Sequence, residues 1–489
     1  MTQKLNAIII ACLFFALNIK SEVSITGKIT GKSASKIEYS VPINGVCYGG
    51  FKESTEIDSL GNFQITINTD KPAFVSIIIP GQFSDKMVIE PGYKYKVDIN
   101  LLNNENIFKV LSPNEKAQDL YSNLPKPSFI SMEFKKFNND TTSTLLKTKI
   151  ASLKANELSQ FKKLLVSKEI TQAFYNLVET DRNCYYSTIL SGVLLSKFSR
   201  HFIEHPTEYP SEMYQLLNSV FTDYPLSKVD MINSSFWFDY AKNYITCKEY
   251  LNEDFKLQEL KDIMKNGLIN MHNIEESKKR LSEPMLEYYD AVYIYFTCVQ
   301  KKYEKEMITI FDQFKAKYPN SGYIKFLKPM ISPIVEFHQK TGLPKNPQIK
   351  FIDNYNKINS LEEAITLFKG TKIFIDVWAT WCGPCKKEFI YNDSLHVQLK
   401  KKNIQIIYIS VDREEQDNQW KDMANFYNLE GYHIRTNERF EADLRRIYNQ
   451  NGQMTIPWYI LINENGEIIK NHASRPSEID KLEREINNN

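Results

Sequence analysis

The chain has 489 residues, too many for one ordinary core, so two to four domains are predicted. Its formal net charge is +2 with both signs interspersed, which argues against a nucleic-acid surface. Apolar residues make up 42% and aromatics 13%, which excludes a disordered chain.

Residues 1–21 have the pattern of a cleaved export signal. Lys4 gives a positive start, and Ala7 to Leu17 is an apolar run too short to span a bilayer. Polar Asn18, Lys20 and Ser21 follow, with cleavage expected near Ser21. A signal of this kind places the protein in the periplasm or cell envelope. The lesser alternative is a lipoprotein anchor at Cys12 in Ile9-Ile10-Ala11-Cys12. Against it, the apolar run continues past Cys12 and too little precedes it. No other stretch is long and apolar enough to cross a membrane.

Residues 22–110 read as a small β-sandwich. Phe63, Ile65 and Ile67 alternate with polar residues after the turn Asp58-Ser59-Leu60-Gly61-Asn62. Ala73 to Ile79 is a continuous apolar strand, and Tyr93, Tyr95, Val97 and Ile99 alternate again. Residues 111–128, with Pro113, Pro125 and Pro127, read as a linker. Residues 129–342 turn helical, with helices expected at Tyr214–Phe221, Met285–Cys298 and Met307–Tyr318. The spacing secures no fixed repeat. Cys47, Cys184, Cys247 and Cys298 are isolated along the chain and read as buried structural thiols.

Pro344, Asn346 and Pro347 mark a second linker, and residues 343–489 read as an α/β domain. A helix over Leu361–Lys369 precedes a buried strand, Lys372–Trp378. A helix to about Lys402, a strand Ile404–Val411 and a helix Gln416–Tyr427 follow. Then come a strand Tyr432–Ile434, a helix Phe440–Tyr448, the strand Trp458–Ile462 and a hairpin at Asn465-Gly466. A helix over Ser477–Ile486 closes the chain.

The chemistry centres on Phe374 to Phe389, FIDVWATWCGPCKKEF. Cys382 and Cys385 sit where a strand turns into a helix, with Gly383-Pro384 between them. The helix N-terminus favours a thiolate at Cys382, and Cys385 is close enough to close a disulfide. Pro384 is tolerated in the first turn because its missing N–H would have no partner. A zinc site would need a second cysteine pair or clustered histidines, whereas His396, His433 and His472 are scattered. No metal is expected, and no cofactor beyond the Cys382–Cys385 disulfide.

Trp378-Ala-Thr-Trp381-Cys382-Gly383-Pro384-Cys385-Lys386 resembles the thioredoxin active site. With Lys387-Glu388-Phe389 it resembles the exported TlpA/ResA-like branch, as does one extra helix–strand unit before Pro457. The resemblance covers about Pro347 to Asn487. It implies a multidomain chain: an N-terminal β-sandwich like that of long Bacteroidetes-type members, an α-helical middle domain and a C-terminal α/β thioredoxin fold. It also implies a thiol-disulfide oxidoreductase in which Cys382 attacks a substrate disulfide and Cys385 resolves the mixed disulfide. Asp376 matches the buried thioredoxin aspartate and Glu388 the ResA-like glutamate. Either is a candidate base for Cys385. Pro457 matches the cis-proline facing the dithiol, where the Ile456 backbone, Trp381, Gly383 and Pro384 would meet a substrate chain. The implied partners are a protein disulfide, such as an apocytochrome c or another envelope protein, and a membrane thiol donor. Two alternatives stay open: a disulfide oxidase or isomerase using the same residues, and a redox-sensing binding protein of the envelope.

Overall fold

The protein is described by a computed structural model that covers residues 21–487 apart from 32–33, 103–106, 128, 138–141, 205–210, 227, 253–255, 342–345 and 449–453. The expected export signal, Cys12 and Pro344 lie outside the described residues. The chain forms two compact units. The first takes residues up to Lys265 with His272–Val292 and Asn320–Phe326, and the second takes Asn266–Met271, Tyr293–Pro319 and Leu327 onward.

The first unit is rich in sheet at its start. Its strands are β1 (Ser21–Thr30), β2 (Lys36–Ile43), β3 (Val46–Glu56), β4 (Asn62–Thr69), β5 (Ala73–Ile79), β6 (Phe83–Ile89), β7 (Lys94–Asn100) and β8 (Phe108–Ser112). They build two four-stranded sheets, ordered β4-β1-β7-β8 and β3-β2-β5-β6. The period-two pattern has its expected consequence: Phe63, Ile65 and Ile67 point inward and share one core with Val75, Ile77, Val97 and Ile99. Each such side chain contributes roughly 1.5–3 kcal/mol by leaving water. The turn before β4 is fixed locally. Asp58 accepts from the Leu60 and Asn62 amides at 2.9 and 2.8 Å. Gly61 takes φ +84°, and a Cβ there would sit 2.3 Å from the Ile29 carbonyl oxygen.

The stretch read as a linker, 111–128, carries a helix over Glu115–Ser122. Prolines on both sides suggested a loop, but tertiary packing overrides them. Gln118 both accepts from the Val88 amide and donates to the Val88 carbonyl, at 3.0 and 2.7 Å. It thereby occupies hydrogen-bonding groups of edge strand β6. Tyr121 stacks on Phe74 at 4.9 Å between ring centres. The middle of the chain is helical, with Gln172–Glu204 the longest helix. The three expected helices occur as Ser211–Asp223, Met285–Val299 and Glu306–Lys317. The helix Ile324–Lys340 falls in the stretch read as helical, with Pro329 and Pro333 inside it.

The second unit contains a six-stranded sheet. Its strands are β9 (Ile349–Phe351), β10 (Lys372–Trp378), β11 (Ile404–Ser410), β12 (Gly431–Arg435), β13 (Trp458–Ile462) and β14 (Ile468–Lys470). The order is β14-β13-β10-β11-β12-β9. The strand β9 is too short to show a pattern in sequence. The centre is β10, parallel to β11 and antiparallel to β13. Residues Ile373 to Trp378 are buried, as a central strand covered on both faces requires. The helix expected from the cysteines to Lys402 is two helices, Gly383–Glu388 and Asn392–Lys401, joined by a 3-10 turn at Phe389–Tyr391. The helix expected over Leu361–Lys369 ends at Thr366.

Candidate redox site

The site lies at the C-terminal end of β10. The chain leaves the strand at Trp378, and its next residues are clamped by the segment that follows β11. Val411 donates its amide to the Trp378 carbonyl at 3.0 Å. Asp412 accepts from the Thr380 amide at 2.8 Å and from the Thr380 hydroxyl at 2.7 Å. These bonds fix the turn that delivers Cys382.

Cys382 and Cys385 are joined as a disulfide with Cα atoms 5.3 Å apart. Cys382 is the N-cap of the helix Gly383–Glu388, and its Sγ accepts from the Cys385 amide at 3.1 Å. That amide would stabilise a thiolate in the reduced form. Cys385 is fully buried and Cys382 only 3% exposed. Trp381 beside it is 48% exposed. A Cβ on Gly383 would meet open space, so no neighbour among the described residues requires glycine there.

The bond Ile456–Pro457 is cis. Strand β13 begins at Trp458 opposite Val377 and runs antiparallel to β10. Pro457 therefore lies at the same end of the sheet as the cysteines.

Asp376 sits in mid-strand on β10, opposite Tyr408 of β11 and Tyr459 of β13. It is fully buried, and neither carboxyl oxygen has a hydrogen-bond partner among the described residues. Burial, then the charge of Glu388, holds its pKa well above the usual carboxylate range. An unpaired buried carboxylate costs several kcal/mol more than a carboxylic acid, so the proton stays on. Glu388 is buried differently. Its carboxylate accepts from the Ser477 amide at 3.0 Å and lies 3.7 Å from the Arg475 guanidinium. The two acids are thus electrostatically coupled, one partnered and one not. Tyr459 is also buried, its hydroxyl has no partner among the described residues, and its pKa is raised by burial, then by Asp376 and Glu388.

Sequence reasoning missed Arg475, Ser477, Tyr459 and the clamp by Asp412. Arg475 and Ser477 are nearly ninety positions from Glu388, and no local spacing signals that contact. Among the described residues no cluster of three or more His, Cys, Asp or Glu could hold a metal. The four isolated cysteines are unpaired in disulfides and buried. Burial pushes the Cys47, Cys247 and Cys298 thiols up to about 12, and Cys184 up as well.

A dithiol capping the helix that follows a central strand, with a buried acid on that strand, defines the class as a thioredoxin-like oxidoreductase. Comparison with known proteins agrees. The Redoxin family model matches residues 345–486. The thiol-disulfide oxidoreductase ResA of Bacillus thuringiensis is 31% identical over 103 residues, 21% of this chain and 55% of that one. ResA of Bacillus subtilis is 26% identical over 102 residues, 21% of this chain and 52% of that one. The chain thus spans about half the length of these curated relatives. A Bacteroides vulgatus structure assigned to the thiol-disulfide oxidoreductases is 32% identical. The match covers 24% of this chain and 74% of that one, with a TM-score of 0.21. Over residues 345–486 the chain matches the Redoxin family, and there it is similar to the ResA-like thiol-disulfide oxidoreductases.

Proposed function

We propose that the protein reduces protein disulfides in the cell envelope through Cys382 and Cys385. The observation that carries this reading is the Cys382–Cys385 pair at the helix N-terminus, with Glu388 on the same helix and coupled to Asp376 on the preceding strand. In the reduced form the Cys382 thiolate attacks one sulfur of a substrate disulfide. The other substrate sulfur leaves as a thiolate and takes up a proton. Cys385 then loses its proton to a carboxylate and attacks the Cys382 sulfur. The second substrate thiol departs, and the enzyme is left as the Cys382–Cys385 disulfide. Two electrons pass from the dithiol to the substrate.

Glu388, and Asp376 once it has lost its own proton at raised pH, are the proton acceptors for Cys385 in this scheme. Trp381, Gly383, Pro384, the Ile456 backbone and Pro457 form the surface that receives the substrate chain. The open space beside Gly383 and the exposed Trp381 ring support that assignment. A membrane thiol donor recharges the disulfide, and apocytochromes c are a candidate substrate class. Export by residues 1–21 and a β-sandwich formed by the two N-terminal sheets complete the proposal. No helix among the described residues is long and apolar enough to cross a membrane.

The test is insulin reduction by the full chain with dithiothreitol as electron source. Turnover that disappears in Cys382→Ser supports the reading. Turnover that survives in Cys382→Ser overturns it.

A further inference from the structure

Lys386 follows Cys385 directly and lies four residues after Cys382, so its Cβ shares a helix face with that of Cys382. Its amide donates to the Cys382 carbonyl at 3.3 Å. A lysine after a CGPC motif would be expected in solvent, yet this one is 1% exposed. It is covered by the turn that joins the helices Met285–Val299 and Glu306–Lys317.

That turn is held in place from several sides. Lys301 and Tyr303 both take left-handed backbone, φ +53° and +60°, a region that non-glycine residues adopt uncommonly. The Lys386 ammonium donates to the Lys301 carbonyl. It also lies 5.4 Å from the centre of the Tyr303 ring, in cation–π range. The Tyr303 hydroxyl bonds to that of Tyr427 at 2.7 Å, and Gln419 donates to the Lys302 carbonyl at 2.7 Å. His338 bonds to the Tyr303 carbonyl at 2.8 Å. Tyr427 in turn packs on Phe389 at 5.1 Å, and Phe389 on Trp378 at 5.3 Å.

We propose that Lys386 and the turn Lys301–Glu304 form a positioning device for the dithiol, in which the turn holds the ammonium against the CGPC helix and its charge biases Cys382 toward thiolate. The inference rests on the redox reading of the Cys382–Cys385 pair. Burial is the largest influence on the lysine and pushes it down to about 7. Asp412 and Glu304 oppose that shift, whereas Lys301 and Lys302 add to it. Lys387, on the same helix as Lys386, acts on Lys301. Tyr303 and Tyr427 face the site as neutral phenols, their pKa values raised mainly by burial. An ammonium held in this environment is screened less than one in water, so its effect on a neighbouring thiolate is larger.

The experiment is a thiolate titration of the reduced full chain by absorbance at 240 nm, paired with glutathione equilibration of the Cys382–Cys385 couple. Cys47, Cys184, Cys247 and Cys298 are buried and titrate too high to interfere, and Cys12 is common to every variant and cancels in the comparison. Lys386→Met is expected to raise the Cys382 midpoint by about one pH unit, the effect of one nearby charge. Lys386→Arg keeps a cation at every pH and is expected to leave the midpoint at or below the wild-type value. A midpoint unmoved by Lys386→Met, or moved equally by both variants, overturns the proposal. In a Tyr303→Ala background the Lys386→Met shift is expected to shrink by half or more, and a shift of undiminished size removes the turn from the device. Gln419→Ala, which loses only the bond to the Lys302 carbonyl, replaces Tyr303→Ala if that variant does not fold. A chain with no reversible couple overturns the redox reading itself, whereas a reversible couple with an unmoved midpoint overturns only the role of Lys386.

Discussion

Asp376 and Glu388 are electrostatically coupled but are held in opposite ways. Glu388 is fixed by the Ser477 amide and faced by Arg475, while both oxygens of Asp376 are buried without a partner among the described residues. The charge of Glu388 adds to burial in keeping the proton on Asp376. The proton-transfer role proposed for the site depends on this asymmetry, and it has consequences for both rate and stability.

Asp376→Asn is expected to slow resolution of the mixed disulfide by about 10- to 100-fold and to remove a pH step from that rate. In the wild-type chain the rate is expected to rise with pH as Asp376 loses its proton, at a pH well above the ordinary carboxylate range. Stopped-flow measurement of substrate thiol release between pH 5 and about 9 checks both points. An unchanged pH profile in the variant would remove Asp376 from the proton path.

Stability responds to the same proton with a fixed sign. The pKa of Asp376 is raised in the folded state, so between the unfolded and folded values the native chain binds the extra proton. Its contribution is fully present below the unfolded pKa and is lost as pH rises through the folded one. The loss runs at up to about 1.4 kcal/mol per pH unit between the two values. Asp376→Asn does not titrate and is expected to gain on the wild type across that window. Urea unfolding at a series of pH values reads the gap, and a gap that stays constant contradicts the assignment.

Glu388→Gln removes the negative charge that helps hold the proton on Asp376. Its expected effect is to move the pH step in resolution downward while leaving the step in place. A step that stays where it was would mean that burial alone sets the pKa of Asp376. The wild-type stopped-flow profile is the reference for this comparison.

The strand core and the cysteine turn were legible because they are local. Burial of β10 follows from a run of β-branched and aromatic residues, and the CGPC turn from four consecutive letters. Asp376 stood out as an acid inside an apolar strand. The partners of Glu388, the clamp on Thr380 and the cover over Lys386 were not legible. Each joins residues far apart in sequence, and a lysine on a helix looks solvated until its neighbours are known. The helix Glu115–Ser122 was hidden by flanking prolines, and the break at Phe389–Tyr391 has no proline or glycine to announce it.

The first unit offers a separate check on how its turn residues act. Gly61→Ala would place a Cβ 2.3 Å from the Ile29 carbonyl oxygen and force alanine into φ +84°. A loss of roughly 1–3 kcal/mol is expected. Denaturant unfolding of that variant measures it, and an unchanged midpoint would mean that the turn relaxes without cost.

The direction of electron flow is the central claim, and the reduction potential of Cys382–Cys385 in the full chain tests it most directly. Equilibration with glutathione couples of known ratio gives the value. A potential toward about −270 mV, the thioredoxin end of the range, is the result the account predicts. A potential toward about −120 mV would make the pair a disulfide donor and contradict it.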